Sequence, residues 1–475
     1  MNQSLAEAFG EISSKCQIYQ ESFRESSGSF FAIARDSQGK YLAVKGKNNR
    51  QFEGRDITDS IRLCPLNSIN AGLIREIFHE LIPVPCSKPV SFGFGDRLGI
   101  ATPAHVQVVK ERNVFPIFAQ QSVRENSRTG RNFQEVFDDA VWGCFETGYS
   151  GGYGADADHL KEVQSLKEAA NAGWTMFTID LSDYIKNPVL LSSDEKNTYW
   201  KNIPNADSLY TTFLNKEYTI GSNVHRFTAP ETRRVILTFV NGLRFATDCY
   251  LSLKQAKPHF DFEISIDEIS IPTTPLDHIF VVEYLRKNGV FPTSLAPRFP
   301  GEFEKAIDYK GDVHEFAESF YEHNEICRFF GGYKISIHSG SDKFAVYPFI
   351  RKYAEGFHIK TAGTSWLQAV KTIAVTNPSL YRRIHSCAIE NVQKDRLGYV
   401  VHLDIQKVPD IKTISNNDLP KLFELPDTRQ LIHITYGSIL KSLRKEIYDT
   451  LFLFEKEHYH QVSEHLSKHL DLLGV

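Results

Sequence analysis

The chain has 475 residues, 41% hydrophobic and 24% charged, which is ordinary globular usage and room for one large barrel with additions or two domains. A formal net charge of −4 gives no basic field to draw nucleic acid, and no run of ~18 apolar residues predicts a membrane span. The seven cysteines are scattered with no CxxC spacing, and the polar stretch Met1 to Ser29 lacks the apolar centre of a signal peptide, so a soluble cytoplasmic protein with reduced thiols is expected.

The first 90 residues read as an opening helix and a small β-rich appendage. Phe30-Phe31-Ala32-Ile33-Ala34 and Tyr41-Leu42-Ala43-Val44 flank the turn Asp36-Ser37-Gln38-Gly39 as a hairpin. Residues 91–475 read as a barrel with C-terminal helices. From Phe92 onward short apolar strands alternate with helical stretches, the rhythm of a parallel sheet. The strands are expected at Trp174 to Leu181, Phe260 to Asp267, Leu295 to Phe299, Tyr333 to His338, Phe357 to Lys360, His402 to Ile405 and Leu431 to Ile434. Ile279 to Tyr284 reads as strand or helix; helices are expected at Asp312 to Cys327 and Thr364 to Ile373. Roughly eight strands over about 350 residues favour an α/β fold of the (β/α)8 TIM type over an open sheet.

Two strands carry the site argument. Phe262, Ile264 and Ile266 alternate with Glu263, Ser265 and Asp267, and Ile335 and Ile337 alternate with Lys334, Ser336 and His338. Helices cover the outer face of a parallel barrel and take the isoleucines, so the polar set lines the interior. Active sites of such barrels lie at the C-terminal strand ends, where Asp267, Glu268 and His338 fall. Gly154-Ala155-Asp156-Ala157-Asp158-His159-Leu160-Lys161 brings two acids and an imidazole together before an expected helix start near His159, and Asp156 or Asp158 could serve only as its N-cap. His338, before the small-residue loop Ser339 to Lys343, is a candidate metal ligand, since neutral imidazole suits zinc, nickel, manganese, cobalt or iron. Arg298, Lys334, Lys343 and Lys360 are cations suited to an acidic substrate. No GxGxxG after a strand, no GxxxxGK[ST] and no HExxH is present, which disfavours a dinucleotide enzyme, a P-loop NTPase and a zincin.

The chain resembles the tagaturonate/fructuronate epimerase family. The resemblance rests on Gly95-Asp96-Arg97-Leu98-Gly99-Ile100-Ala101-Thr102-Pro103, the stretch from Gly154 to Lys161, Ser265-Ile266-Asp267-Glu268, Arg298-Phe299-Pro300-Gly301-Glu302-Phe303 and Ile337-His338-Ser339-Gly340-Ser341-Asp342-Lys343. It implies a divalent-metal epimerase that inverts C4 of a 2-keto sugar acid in hexuronate breakdown. It also implies His159 and His338 as metal ligands, Asp158 as proton acceptor and Glu263 as proton donor. The third ligand is expected at Glu304, with Glu268 as the rival. The implied partner is a small sugar acid; homo-oligomerisation stays open. A related isomerase, a metal-assisted aldolase, and a catalytically silent sugar-binding barrel are the competing readings.

Overall fold

The computed structural model describes residues 3–47, 49–269 and 271–475. Two compact units interleave along the sequence. One comprises residues 1–84, 94–155 and 362–470, the other residues 85–93, 156–361 and 471–475.

Eight strands close into a barrel in sequence order: β1 (Val90–Phe94), β2 (Phe115–Ser122), β3 (Gly154–Leu160), β4 (Met176–Asp180), β5 (Asp261–Ser265), β6 (Ser294–Ala296), β7 (Lys334–Ile337) and β8 (Phe357–Thr361). The registers from β3 through β8 are parallel, Ile264 facing Ile179 on one side and Leu295 on the other. The TIM-type reading therefore holds. Apolar alternation sets which way each strand faces. Phe262, Ile264, Ile335 and Ile337 are buried outward against helices, each such side chain contributing about 1.5–3 kcal/mol. The expected helices form at Val313–Phe330, with Asp312 as N-cap, and at Thr364–Thr376; the segment left open is the helix Pro275–Lys287.

Two expected strands are overturned. His402 to Ile405 is irregular chain leading into a 3-10 turn at Ile405–Lys407. Leu431 to Ile434 ends the helix Pro426–Ile434, where Leu431, Ile432 and Ile434 are all buried. A short run buried on every side carries no clear period, and Pro426 in the first turn is the helix signal that outweighs it. The helix expected near His159 is also absent: that residue belongs to β3, and the helix begins only at Val163, ending at Gly173 with φ 100°. Neither Asp156 nor Asp158 is an N-cap.

In the first unit, Ser29–Arg35 and Lys40–Lys45 form the expected hairpin, with Asp36 Oδ1 accepting from the Gln38 and Gly39 amides at 2.7 and 3.0 Å. The run from Gly95 to Pro103 proves architectural. Asp96 accepts from the amides of Leu98, Gly99 and Ala101, and the buried Arg97 guanidinium lies 3.8 Å over the Tyr436 ring and 3.0 Å from Glu125. Among the described residues no helix is long and apolar enough to cross a membrane.

Candidate active site

The site begins with a local irregularity in β3. Asp156 and Ala157 face Met176 and Phe177 of β4, but Leu160 faces Ile179, so three steps on β3 oppose two on β4. The extra residue is a β-bulge, and His159 takes a left-handed φ of 52° within it. Strict alternation would send Asp158 and His159 to opposite faces; the bulge turns both toward the strand-end cluster. Asp158 Oδ1 lies 2.8 Å from Lys360 Nζ, and His159 Nδ1 donates to Asp180 Oδ2 at 3.1 Å. The His159 and His338 ring centroids are 4.9 Å apart at 76°. A non-glycine residue in this conformation costs on the order of 1–3 kcal/mol, a strain found where side-chain aim matters more than backbone comfort.

Lys360, from β8, occupies the centre. Its ammonium lies 2.7 Å from Asp156 Oδ2, 2.8 Å from Asp158 Oδ1 and 2.8 Å from Glu263 Oε1, and it donates to Thr178 Oγ1. Glu263, fully buried on β5, also accepts from His338 Nε2 at 2.7 Å and Ser294 Oγ at 2.6 Å. Beyond it, His338 Nδ1 is 3.0 Å from Asp267, whose carboxylate accepts from Ser265 Oγ at 2.6 Å.

Burial opposes charge on every one of these groups, and the pairing overcomes it in most. Burial would raise Glu263, but Lys360 and then His338 hold it well below the usual carboxylate range. Asp158 is likewise kept low against burial by His159 and Lys360. His338 rises to about 10 against burial, chiefly because Asp267 faces it. Asp156 is the exception, pushed up by burial more than Lys360 can offset. The result is a water-poor centre with ionised carboxylates on either side of one ammonium, suited to moving a hydroxyl proton.

The donor atoms of His159, Asp180 and Glu268 all lie within 4.8 Å of one another. One imidazole and two carboxylates from three adjacent strand ends form a donor set that fits a first-row divalent cation.

The model of the tagaturonate epimerase family, UxaE, matches residues 19–473. The tagaturonate/fructuronate epimerase of Thermotoga maritima is 45% identical over 465 residues, covering 96% of this chain and 97% of that protein. The chain belongs to the tagaturonate epimerase family. Native fructuronate-tagaturonate epimerase UxaE from Cohnella laeviribosi, and the same protein with one glycerol bound, each superpose at TM-score 0.94 with 37% identity. The first covers 99% of this chain and 100% of its own, the second 99% of both. As a family member the chain is an enzyme of the isomerase class.

Within this epimerase-family chain the structure gathers Asp158, His159, Glu263, His338 and Lys360, and disperses other residues singled out from the sequence. Glu304 is buried, with Oε1 3.0 Å from Lys310; the metal-capable group around His159 contains Glu268 instead. Lys343 is buried and donates to the carbonyls of Glu304, Ile307 and Ser341. Lys334 starts β7, at the strand end opposite His338, and donates to the Pro89 carbonyl at 2.9 Å. Arg298 stands at the correct end, 3.3 Å from Glu302.

Sequence reasoning passes over two residues of the site, Thr178 and Asp180, and gives Asp156 no role beyond one of two clustered acids or an N-cap. The signal was available. In β4, Phe177 and Ile179 alternate with Thr178 and Asp180, the same pattern used for β5 and β7.

Proposed function

We propose that this chain interconverts D-tagaturonate and D-fructuronate by inverting C4, with a divalent cation held by His159, Asp180 and Glu268 and faced by His338, in hexuronate breakdown. The observation that carries the reading is the arrangement of Asp158 and Glu263, each 2.8 Å from the same ammonium, beside the paired imidazoles of His159 and His338. The family's substrates come from its named members, the Thermotoga maritima enzyme above all.

The C4 hydrogen is β to the C2 ketone and not acidic, so enolisation alone cannot invert that carbon. A retro-aldol path can. Asp158, held as a carboxylate, accepts the C4 hydroxyl proton while the C3–C4 bond breaks. The resulting three-carbon aldehyde acid turns its other face, the bond re-forms, and a proton returns to the C4 oxygen. Glu263 is the second proton-handling group. It too is ionised, so it donates only after receiving a proton, and Lys360 links it to Asp158. A bound divalent cation supplies Lewis-acid stabilisation of negative charge at the keto end. The seven free cysteines suit a cytoplasmic setting.

The test is incubation of the purified protein with D-tagaturonate, with and without chelator, following both ketohexuronates and any three-carbon fragment. D-fructuronate formed only with a divalent ion is expected. Accumulating fragments would identify an aldolase, a shifted carbonyl an isomerase, and turnover unaffected by exhaustive chelation would refute the metal assignment.

A further inference from the structure

A C4 epimerisation through bond cleavage needs two separate grips on the substrate. The keto end must stay fixed while the C4 aldehyde turns, and the acid end must be anchored so that the severed fragment stays. The cations singled out from the sequence are occupied: Lys360 by three carboxylates, Lys343 by three carbonyls, Lys334 at the opposite strand end, and Arg298 by Glu302.

A recess of about 220 Å³ adjoins the candidate cation site and is lined by Ser182, Glu268, Lys186 and Arg234 among others. Two of these residues tie it to the site: Glu268 belongs to the donor set with His159 and Asp180, and the Ser182 amide donates to Asp180 Oδ1 at 2.9 Å. Arg234 is fixed by the buried Asp277, Nη1 to Oδ1 at 2.7 Å, which leaves its other guanidinium nitrogens for a second acceptor. Among the described residues Lys186 has no ion-pair partner, and its amide donates to the Thr238 carbonyl, fixing its backbone. The recess is smaller than the roughly 300–1,000 Å³ of pockets that enclose a whole ligand, so it suits one end of a molecule whose other end lies elsewhere.

We propose that this recess binds the C6 carboxylate of the sugar acid, with Lys186 and Arg234 as the cations that set preference for uronates over neutral ketoses. The proposal rests on the epimerase reading above. An ammonium and a planar guanidinium converging on one carboxylate give charge-assisted hydrogen bonds that a hydroxymethyl group cannot match. Lys186 and Arg234 line the recess with Glu268 but are not part of the His159–Asp180–Glu268 donor set, so the acid end and the keto end would have separate holds.

The experiment measures kcat and KM for D-tagaturonate and for neutral D-tagatose, which carries a hydroxymethyl group at C6, on metal-loaded wild type, Lys186→Ala and Arg234→Lys. Lys186 is exposed, so its truncation leaves the fold intact; lysine at 234 keeps a positive charge for Asp277 but loses the planar fork. Each variant should raise KM for tagaturonate by about tenfold, with kcat/KM for tagatose within about twofold of wild type. Equal losses on both substrates, or an unchanged preference, would overturn the proposal and leave the epimerase assignment standing. A wild-type protein inactive on tagaturonate would overturn that assignment, and this proposal with it.

Discussion

Replacing Lys360 with methionine tests the central electrostatic claim. The residue is 2% exposed, and Asp156, Asp158 and Glu263 around it are each 4% exposed or less. Methionine fills much of the volume, so the loss is mainly of charge. Three carboxylates would then share a dry centre with His338 against Glu263 and His159 3.7 Å from Asp158 as the remaining positive partners. Removing one partner of a buried pair costs about 3–5 kcal/mol, because the surviving charges have lost their compensation. For a chain of this length the unfolding entropy is on the order of 1 kcal/mol/K, so the midpoint should fall by about 3–5 °C. Thermal unfolding of chelator-treated wild type and variant, followed by circular dichroism, measures it. Adding Glu263→Gln to the variant should recover part of the loss, since one stranded charge disappears; the same change in wild type should only destabilise. The coupling is then non-additive by about 1 kcal/mol or more. A Lys360→Met protein that melts within a degree of wild type, or whose effect adds simply to that of Glu263→Gln, would refute the charge centre.

Glu268→Gln and Asp180→Asn should lower the divalent-metal content of the purified protein, measured by elemental analysis, and Glu304→Gln should not; the reverse pattern would restore Glu304 as the ligand. Asp158→Asn should reduce kcat by about 10²–10⁴-fold with KM and metal content little changed, as expected of a lost proton acceptor. Away from the site, the half-buried Tyr333 and the buried His278 and His323 form a chain that ends on the Thr273 carbonyl, with contacts of 2.8, 2.9 and 3.1 Å. Burial lowers His323 to about 4, below its ordinary 6.5, so between those values the unfolded chain binds the proton and the native protein does not. Its stabilisation is full above pH 6.5 and is lost as the pH falls toward 4, by about 1.4 kcal/mol per pH unit; chemical denaturation across that window should be shallower in His323→Leu than in wild type.

Much of the barrel could be read from the sequence because its strands carry a pattern that only one fold explains. Phe260 to Asp267 and Tyr333 to His338 alternate apolar and polar residues, and a parallel barrel clad in helices gives each face its place. β2 escaped because all eight of its residues are buried and no polar alternation marks it. β3 escaped for the opposite reason: its outward positions are alanines, too small to register as an apolar face, and its acids imitate a helix start. At the C-terminal end, Leu431 to Ile434 reads as strand from apolarity alone, although helices pack around the segment and cover all its sides.

The site divides along the same physical line. Polar residues that regular strands carry inward, such as Glu263 and His338, follow from period two, because alternation fixes direction without knowledge of neighbours. His159 does not. Its aim depends on one inserted residue, and a bulge is a property of the pairing between β3 and β4 that neither strand shows alone. Lysines are harder still. Lys334 and Lys360 both occupy barrel strands, yet one begins its strand and bonds to backbone carbonyls, while the other lies near the end of its strand among three acids. Position along the strand separates anchor from active centre, and that depends on where each strand starts, which apolar patterning locates only to within a few residues.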